Sequence, residues 1–388
     1  MNSPKETDSN KANLAEESGY QEEPAELEAE VSGLSDPETM FDLSPNSEEA
    51  AEFETMLKFG QNPRLSQIIL DNNLTIRYTS PAATALFTGY YRIQSKPFFN
   101  VFRQPLGTAE LRILIMSLKS PERGFSWSGT LVHKNPNMRT LLTRTVINPF
   151  FAGSHAILGY LVHFEDVTDK YNSRLRTTFS SILEAAKLKD NDTGKHNERV
   201  SHYSKKITEY LYKKQLYPQI DPDFIDNIEF LSMMHDVGKI GTPDYILQKP
   251  GKLTELEWEI MREHTINGTF ILSSYPNPMA KEIALSHHEW WNGGGYPFKL
   301  EGDMIPLSAR IVTVADVYDA LRMKRTYKRE FTHEEAIERI FAASGTQFDP
   351  SIVRVLTDTH ESFDEIWNRF TDSNATEPFN TDITIDYE

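Results

Sequence analysis

His287-His288-Glu289-Trp290-Trp291-Asn292-Gly293-Gly294-Gly295-Tyr296-Pro297 delivers two adjacent imidazoles straight into a glycine-rich turn. Imidazole is the commonest metal-ligating side chain, and it changes charge near neutral pH. Three consecutive glycines let the backbone approach a ligand closely and take dihedral angles that other residues avoid. Pro297 stiffens the exit. The combination suits a metal site with room for a substrate, provided the rest of the chain supplies further ligands.

Outward from this stretch, the chain offers Asp192-Thr193-Gly194-Lys195-His196, His235-Asp236-Val237-Gly238-Lys239, a lone His264, and Asp316-Val317-Tyr318-Asp319. It also carries KPGKLTELEWEIMREH at 249–264 and GTQFDP at 345–350. In this order the series closely resembles the HD-GYP family of cyclic-dinucleotide phosphodiesterases, whose name joins a His-Asp pair, here His235-Asp236, to a Gly-Tyr-Pro triplet, here Gly295-Tyr296-Pro297. The resemblance covers about 180 to 370, and its motifs are specific. It implies an all-α helical bundle, a metal centre and hydrolysis of cyclic di-GMP.

Composition bounds the alternatives. Of 388 residues, 39% are apolar, which is enough for two or three ordinary domains. No apolar run reaches the roughly 18 residues of a membrane span, and the N-terminus lacks the basic start and apolar stretch of a secretory signal. The expectation is a cytoplasmic protein. There is no cysteine, so disulfides, thiolate metal sites, cysteine nucleophiles and covalent flavin–cysteine photochemistry are all excluded. Any metal must sit on nitrogen and oxygen.

The net charge of −17 is carried by the ends. Residues 1–56 hold sixteen acidic side chains against two lysines, and 371–388 hold five acidic side chains and no base. What lies between is nearly neutral and need not repel an anionic phosphodiester. No basic block points to long DNA or RNA. Residues 1–56, rich in Glu, Ser, Asn and Pro, read as a disordered acidic tail, and 371–388 as a second tail.

Residues 57–167 alternate strands and turns. Strands are expected over 65–70, 74–78, 125–133, 140–148 and 156–164, with Ser80-Pro81 as N-cap and first residue of a helix. The order, together with LDNNLTIRYTSPAATALF at 70–87 and GYLVHFEDVTD at 159–169, resembles a PAS sensor module: an α/β fold of antiparallel sheet with flanking helices. Such modules hold haem, flavin or a metabolite, or only dimerise. The ligand here is not specified by the sequence, although His133, His155 and His163 are histidines that a haem iron would need.

Over 168–190 a connecting helix is expected. Val167, Tyr171, Leu175, Phe179, Ile182 and Ala186 recur at helical spacing with no proline between them. That stripe fits either a homodimeric coiled coil or burial against its own domain. From there to 370 the chain reads as helices, taken as the phosphodiesterase domain over 180–370. Thr254 with Glu257, and Thr332 with Glu335, form capping boxes for helices carrying His264 and Ala336 to Ala343, and Gly345 is a C-terminal stop. Further helices are expected over 224–235 and 308–321.

His235 and Asp236, adjacent near a helix end, project about 100° apart, so both can serve one cleft. The resemblance implies that Asp236 bridges two metals, with His196, His235 and Asp316 on one and His264, His287 and His288 on the other. Such an oxygen and nitrogen set suits iron or manganese. Asp192, four residues before His196, stands where some family members hold a third metal with glutamate, and its shorter side chain strains that geometry. Lys239 shares the face of His235 and Asp236 if the helix continues, where its charge would stabilise a phosphoryl group. Substrate contacts are implied for Lys239, Gly295, Tyr296, Pro297, Arg325 and Lys328, with Asp236 and Lys239 in the catalytic roles.

Two positions depart from the family pattern. Thr326 replaces a proline, and Asn292 replaces an aspartate before the first glycine, which leaves the geometry of that loop open. The expected function is sensor-regulated, metal-dependent hydrolysis of cyclic di-GMP to pGpG and onward to GMP. The alternatives are another cyclic dinucleotide, such as the GMP-AMP hybrid, or a non-catalytic cyclic di-GMP receptor acting through signalling-protein contacts.

Overall fold

The computed structural model describes residues 47–88, 93–102, 114, 118, 126–134, 139–152, 157–189, 195–323 and 330–370. They fall into two compact units, one comprising Met1–Pro136 and Thr140–Thr168 and the other Asn137–Arg139 and Asp169–Glu388. Among the described residues no helix is long and apolar enough to cross a membrane.

The first unit comprises α1 (Ser47–Gly60), β1 (Gln67–Asp71), β2 (Ile76–Thr79), α2 (Pro81–Leu86), α3 (Phe98–Phe102), β3 (Trp127–Lys134), β4 (Thr140–Phe151) and β5 (Ile157–Asp166). The strands form one antiparallel sheet in the order β2-β1-β5-β4-β3, with α2 and α3 inserted between β2 and β3. This is the antiparallel sheet with flanking helices that the PAS resemblance implied. Apolar residues alternate inward along the strands, and Leu131, Ile147, Val162 and Phe164 meet Phe87, Phe98 and Phe102 in one core. Ser80 Oγ accepts from Ala83 N at 3.0 Å as the N-cap of α2 and donates to Leu65 O at 2.6 Å, so one side chain ties the helix to the start of the sheet.

Residues 47–56, expected within the disordered tail, belong to α1 instead. Phe53 is the reason: its ring stacks on Phe150 at 6.1 Å, giving this acidic segment an apolar anchor. Residues 1–46 and 371–388 lie outside the described residues. His133, a haem-ligand candidate, is buried with Nε2 2.9 Å from Thr143 Oγ1, and Phe87 and Phe102 stand edge-on to its ring. It is a core histidine bonded within the sheet. His155 lies outside the described residues, and His163 is part of β5.

The second unit is helical: α4 (Thr168–Lys187), α5 (Lys195–Lys213), α6 (Pro222–Leu231), α7 (Asp244–Leu247), α8 (Glu255–Arg262), α9 (His264–Ile271), α10 (Met279–Ser286), α11 (Leu307–Arg322), α12 (His333–Ala342) and α13 (Pro350–Arg369). α11 is enclosed along most of its length, with Leu307, Ile311, Val312, Val314, Ala315 and Tyr318 buried. Phe179, Leu183 and Ala186 of α4 are buried in the same core. Much of the α4 stripe is therefore covered by its own unit, while Tyr171 stays exposed. Both capping boxes are present, at Thr254 with Glu257 and at Thr332 with Glu335. Gly345 has φ +78°, a conformation that favours glycine.

Two helices end sooner than expected. His264 does not belong to the helix capped by Thr254: α8 ends at Arg262, and His264 opens α9. The helix expected to reach His235 stops at Leu231 and tightens into 3-10 turns at Ser232–Met234 and Val237–Gly241. His235 Nδ1 donates to Ser232 O at 2.7 Å, a local bond that competes with a continued α-helix.

Candidate metal centre

The tight turns around Asp236 set the site. A Cβ on Gly238 would lie 1.9 Å from His264 O and 2.4 Å from Gly268 N, so only glycine lets this turn meet the α9 backbone directly. That contact brings His264 to Asp236. The same tight winding corrects the expectation for Lys239, which is not on a continuing α-helix. In a 3-10 turn residues three apart eclipse one another, and Lys239 Nζ reaches Asp236 Oδ2 at 2.7 Å.

Around Asp236 the described imidazoles converge. Its Oδ1 lies 3.3 Å from His264 Nε2 and 3.6 Å from His287 Nε2, and its Oδ2 lies 3.4 Å from His235 Nε2. His196 Nε2 is 3.5 Å from Asp316 Oδ1, and His235 Nε2 is 3.9 Å from the same oxygen. Potential ligand atoms of Asp236, His264, His287 and His288 all lie within 4.8 Å of one another, as do those of His196, His235 and Asp236. Asp236 is common to both groups. Asp192, Arg325 and Lys328 lie outside the described residues, as does Thr326.

The far side of each ring fixes which nitrogen faces inward. Nδ1 of His235, His264 and His287 bonds to backbone carbonyls of Ser232, Met261 and Ile283, at 2.7, 2.7 and 3.0 Å. A carbonyl can only accept, so each Nδ1 carries a proton and each Nε2 faces the centre, where the neutral ring would offer a metal its lone pair. His196 does the same through a carboxylate, its Nδ1 donating to Asp319 Oδ2 at 2.8 Å.

Nε2 of His235, His264 and His287, and Oδ1 of Asp236, are buried and have no hydrogen-bond partner among the described residues. Burying such groups unpaired is costly, and a divalent cation among them would remove that cost. Burial pushes His264 down to about 4, and burial with neighbouring His287 and His264 holds His288 well below the usual imidazole range. Both are therefore neutral at pH 7, as ligands must be. Burial alone would raise the Asp236 carboxyl, but the neighbouring cationic charge, Lys239 first, outweighs it and holds it well below the usual range. The donor set thus fits nitrogen- and oxygen-bound metal.

The glycine loop is held beside these ligands. Tyr296 stacks on His288 at 4.7 Å, and the Arg262 guanidinium lies 5.7 Å from the centre of the Tyr296 ring. Burial, with Asp236 and Asp316 nearby, pushes the Tyr296 hydroxyl up. A Cβ on Gly295 would fall 2.3 Å from Trp290 N, so the loop folds back on its own start. Asn292 Oδ1 accepts from Gly294 N at 3.0 Å. That turn needs only an acceptor, which asparagine supplies as well as aspartate does. Trp291 N and Asn292 N donate to Gln347 O and Thr346 O, which gives the GTQFDP stretch its place under the loop.

Three contributors were not singled out from sequence. Asp319 orients His196, and Arg199 binds Asp319. Each stands three residues from a ligand candidate on its own helix, Asp316 and His196 respectively, a same-face spacing that was readable. Glu289, buried, accepts from Phe298 N at 2.7 Å and Leu300 N at 3.0 Å and so closes the loop from within. Its signal was only its adjacency to His288.

Comparison with known proteins agrees with this picture. The family model described as HD domain matches residues 181–352. A cyclic di-GMP phosphodiesterase of Vibrio cholerae is 41% identical over 50% of this chain and 41% of its own length. A 3'3'-cGAMP-specific phosphodiesterase 2 of the same organism is 41% identical over 47% of this chain and 34% of its own length. A cyclic di-GMP phosphodiesterase of Thermotoga maritima is 36% identical over 54% of this chain and 56% of its own. The chain thus spans about half, or less, of the length of these relatives. Among solved structures, a cyclic GMP-AMP specific phosphodiesterase of V. cholerae matches at TM-score 0.38, with 20% identity over 52% of each chain. The helical unit is an HD domain. Residues 181–352 carry the match, and within them the His235-Asp236 pair and the Gly295-Tyr296-Pro297 loop are the features that resemble the HD-GYP family.

Proposed function

We propose that the chain is a metal-dependent phosphodiesterase that opens cyclic di-GMP to pGpG and onward to GMP. The observation that carries this reading is the set of buried, inward-facing Nε2 atoms of His235, His264 and His287 around the unpaired Oδ1 of Asp236, among the described residues. His196, His235, Asp236 and Asp316 would hold one ion and Asp236, His264, His287 and His288 the other, iron or manganese by the chemistry of the donors. Two such ions lower the pKa of water and clamp phosphoryl oxygens during in-line displacement. Asp192 is the position for a third ion.

The chain's own residues do the remainder. Lys239 keeps Asp236 ionised, and its ammonium, with three donors, can serve both that carboxylate and a phosphoryl oxygen. Tyr296 offers a ring face to a guanine and a hydroxyl that stays protonated as a donor. Glu289 and Gly295 hold the loop in that position, and Arg325 and Lys328 complete the phosphate contacts. In the reaction water adds at phosphorus, the bond from phosphorus to the ribose O3′ breaks, and a linear dinucleotide with a 5′-phosphate results.

A second substrate has specific support, because a relative equally identical to this chain is named for 3'3'-cGAMP. Regulation by the PAS-like unit, dimerisation through α4, signalling-protein partners and a cytoplasmic setting belong to the same proposal. Incubating Mn- or Fe-loaded protein with both cyclic dinucleotides together, and separating products over time, tests it. Faster appearance of pGpG supports cyclic di-GMP, faster opening of the hybrid supports the second substrate, and failure to open either refutes the enzyme reading.

A further inference from the structure

Arg199 is fully buried within the helical unit. Its Nε donates to Asp319 Oδ1 at 2.7 Å and its Nη2 to Asp319 Oδ2 at 2.9 Å, while Nη1 donates to the carbonyl of Phe370 at 2.9 Å. Its guanidinium also lies 4.6 Å from the centre of the Trp367 ring. Phe370 in turn stacks on His202 at 4.5 Å. One face of α5 therefore grips the end of α13.

The grip continues toward the metal centre. Oδ2 of Asp319 accepts from Arg199 and also from His196 Nδ1 at 2.8 Å, so both carboxylate oxygens are committed. A planar guanidinium sets the angle of a carboxylate as well as its position, which an ammonium cannot do. Phe370 carbonyl, Arg199, Asp319 and His196 thus form one hydrogen-bonded series that ends on a ligand candidate. In the other group, His264 and His287 are oriented instead by the carbonyls of Met261 and Ile283.

We propose that Arg199 is a positioning residue for the His196 half of the centre, and that the end of α13, from Trp367 to Phe370, sets how firmly this half holds its ion. The inference rests on the metal reading of the cluster. It predicts a selective effect. Loss of the fork should loosen one ion and leave the ion held by His264, His287 and His288 as it was, whereas general destabilisation would loosen both.

The test strips full-length protein with a chelator, titrates it with Mn2+ alone, and follows the free ion by electron paramagnetic resonance. Wild type should take up two ions. In Arg199→Lys and Arg199→Met one of the two should bind about tenfold more weakly, the scale usual when the orienting partner of a metal-ligating histidine is disturbed. Trp367→Ala, a partly exposed position outside the cluster, should weaken the same ion in the same direction and by less. Two ions bound by every variant as by wild type, or both weakened equally, would overturn the positioning role. A wild type that takes up no Mn2+ would instead sink the metal reading, and this inference with it.

Discussion

Oδ1 of Asp236 lies 3.3 Å from Nε2 of His264, and neither atom has a hydrogen-bond partner among the described residues. A carboxylate oxygen and an imidazole lone pair are both acceptors, so their approach is unfavourable unless something positive comes between them. Lys239 meets the other oxygen of Asp236 and leaves Oδ1 for a cation.

Metal should therefore stabilise the fold. With free Mn2+ at a hundred times its dissociation constant, one site adds about 2.7 kcal/mol. Thermal unfolding should shift upward on adding Mn2+ to stripped protein, and Asp236→Ala should abolish most of the shift. An equal shift in that variant would place the ion elsewhere.

The glycine loop should be intolerant at one position and tolerant at another. Gly295→Ala puts a Cβ against the backbone of Trp290, Glu289 and His288, so turnover should fall more than about tenfold, with a smaller loss of the ion assigned to His288. Steady-state kinetics beside metal analysis separates the two effects.

Asn292→Asp preserves the acceptor for Gly294 N and should leave turnover within about twofold, whereas Asn292→Leu should lose it. A large gain in Asn292→Asp would mean that the charge, which this chain lacks, matters to the reaction.

His133 gives a pH dependence separate from the centre. Burial pushes its imidazole down to about 4, while an unfolded chain takes up that proton near 6.5. Between those values the unfolded state holds the extra proton, so stability is lost as pH falls from 6.5 toward 4. One such group contributes a slope of about 1.4 kcal/mol per pH unit. Denaturant melts of wild type and His133→Gln across this window should differ in slope by about one proton, and parallel curves would contradict the assignment.

Much of the centre was legible because its ligands lie in short motifs. His235-Asp236 and His287-His288 are neighbours in sequence, and the glycines announce a close backbone approach. Asp319 and Arg199 were less visible, since their pairing spans 120 residues and only the packing of α5 against α11 brings them together. The tight turn at Asp236 also escaped notice: helical periodicity continues through Phe230 and Leu231, and the interruption falls where His235 Nδ1 bonds the carbonyl of Ser232. In the first unit the positions of the strands were readable from alternation and turns, yet α1 was hidden by its glutamates, which mask the anchor at Phe53.

Anaerobically purified protein, assayed for bound metal and for cyclic di-GMP turnover in the same sample, tests the central claim most directly. Linear product should form at a rate that rises with metal occupancy of the His and Asp cluster, fall to background after stripping, and stay there in Asp236→Ala. Undiminished turnover by stripped protein, or no linear product at full occupancy, would contradict the account.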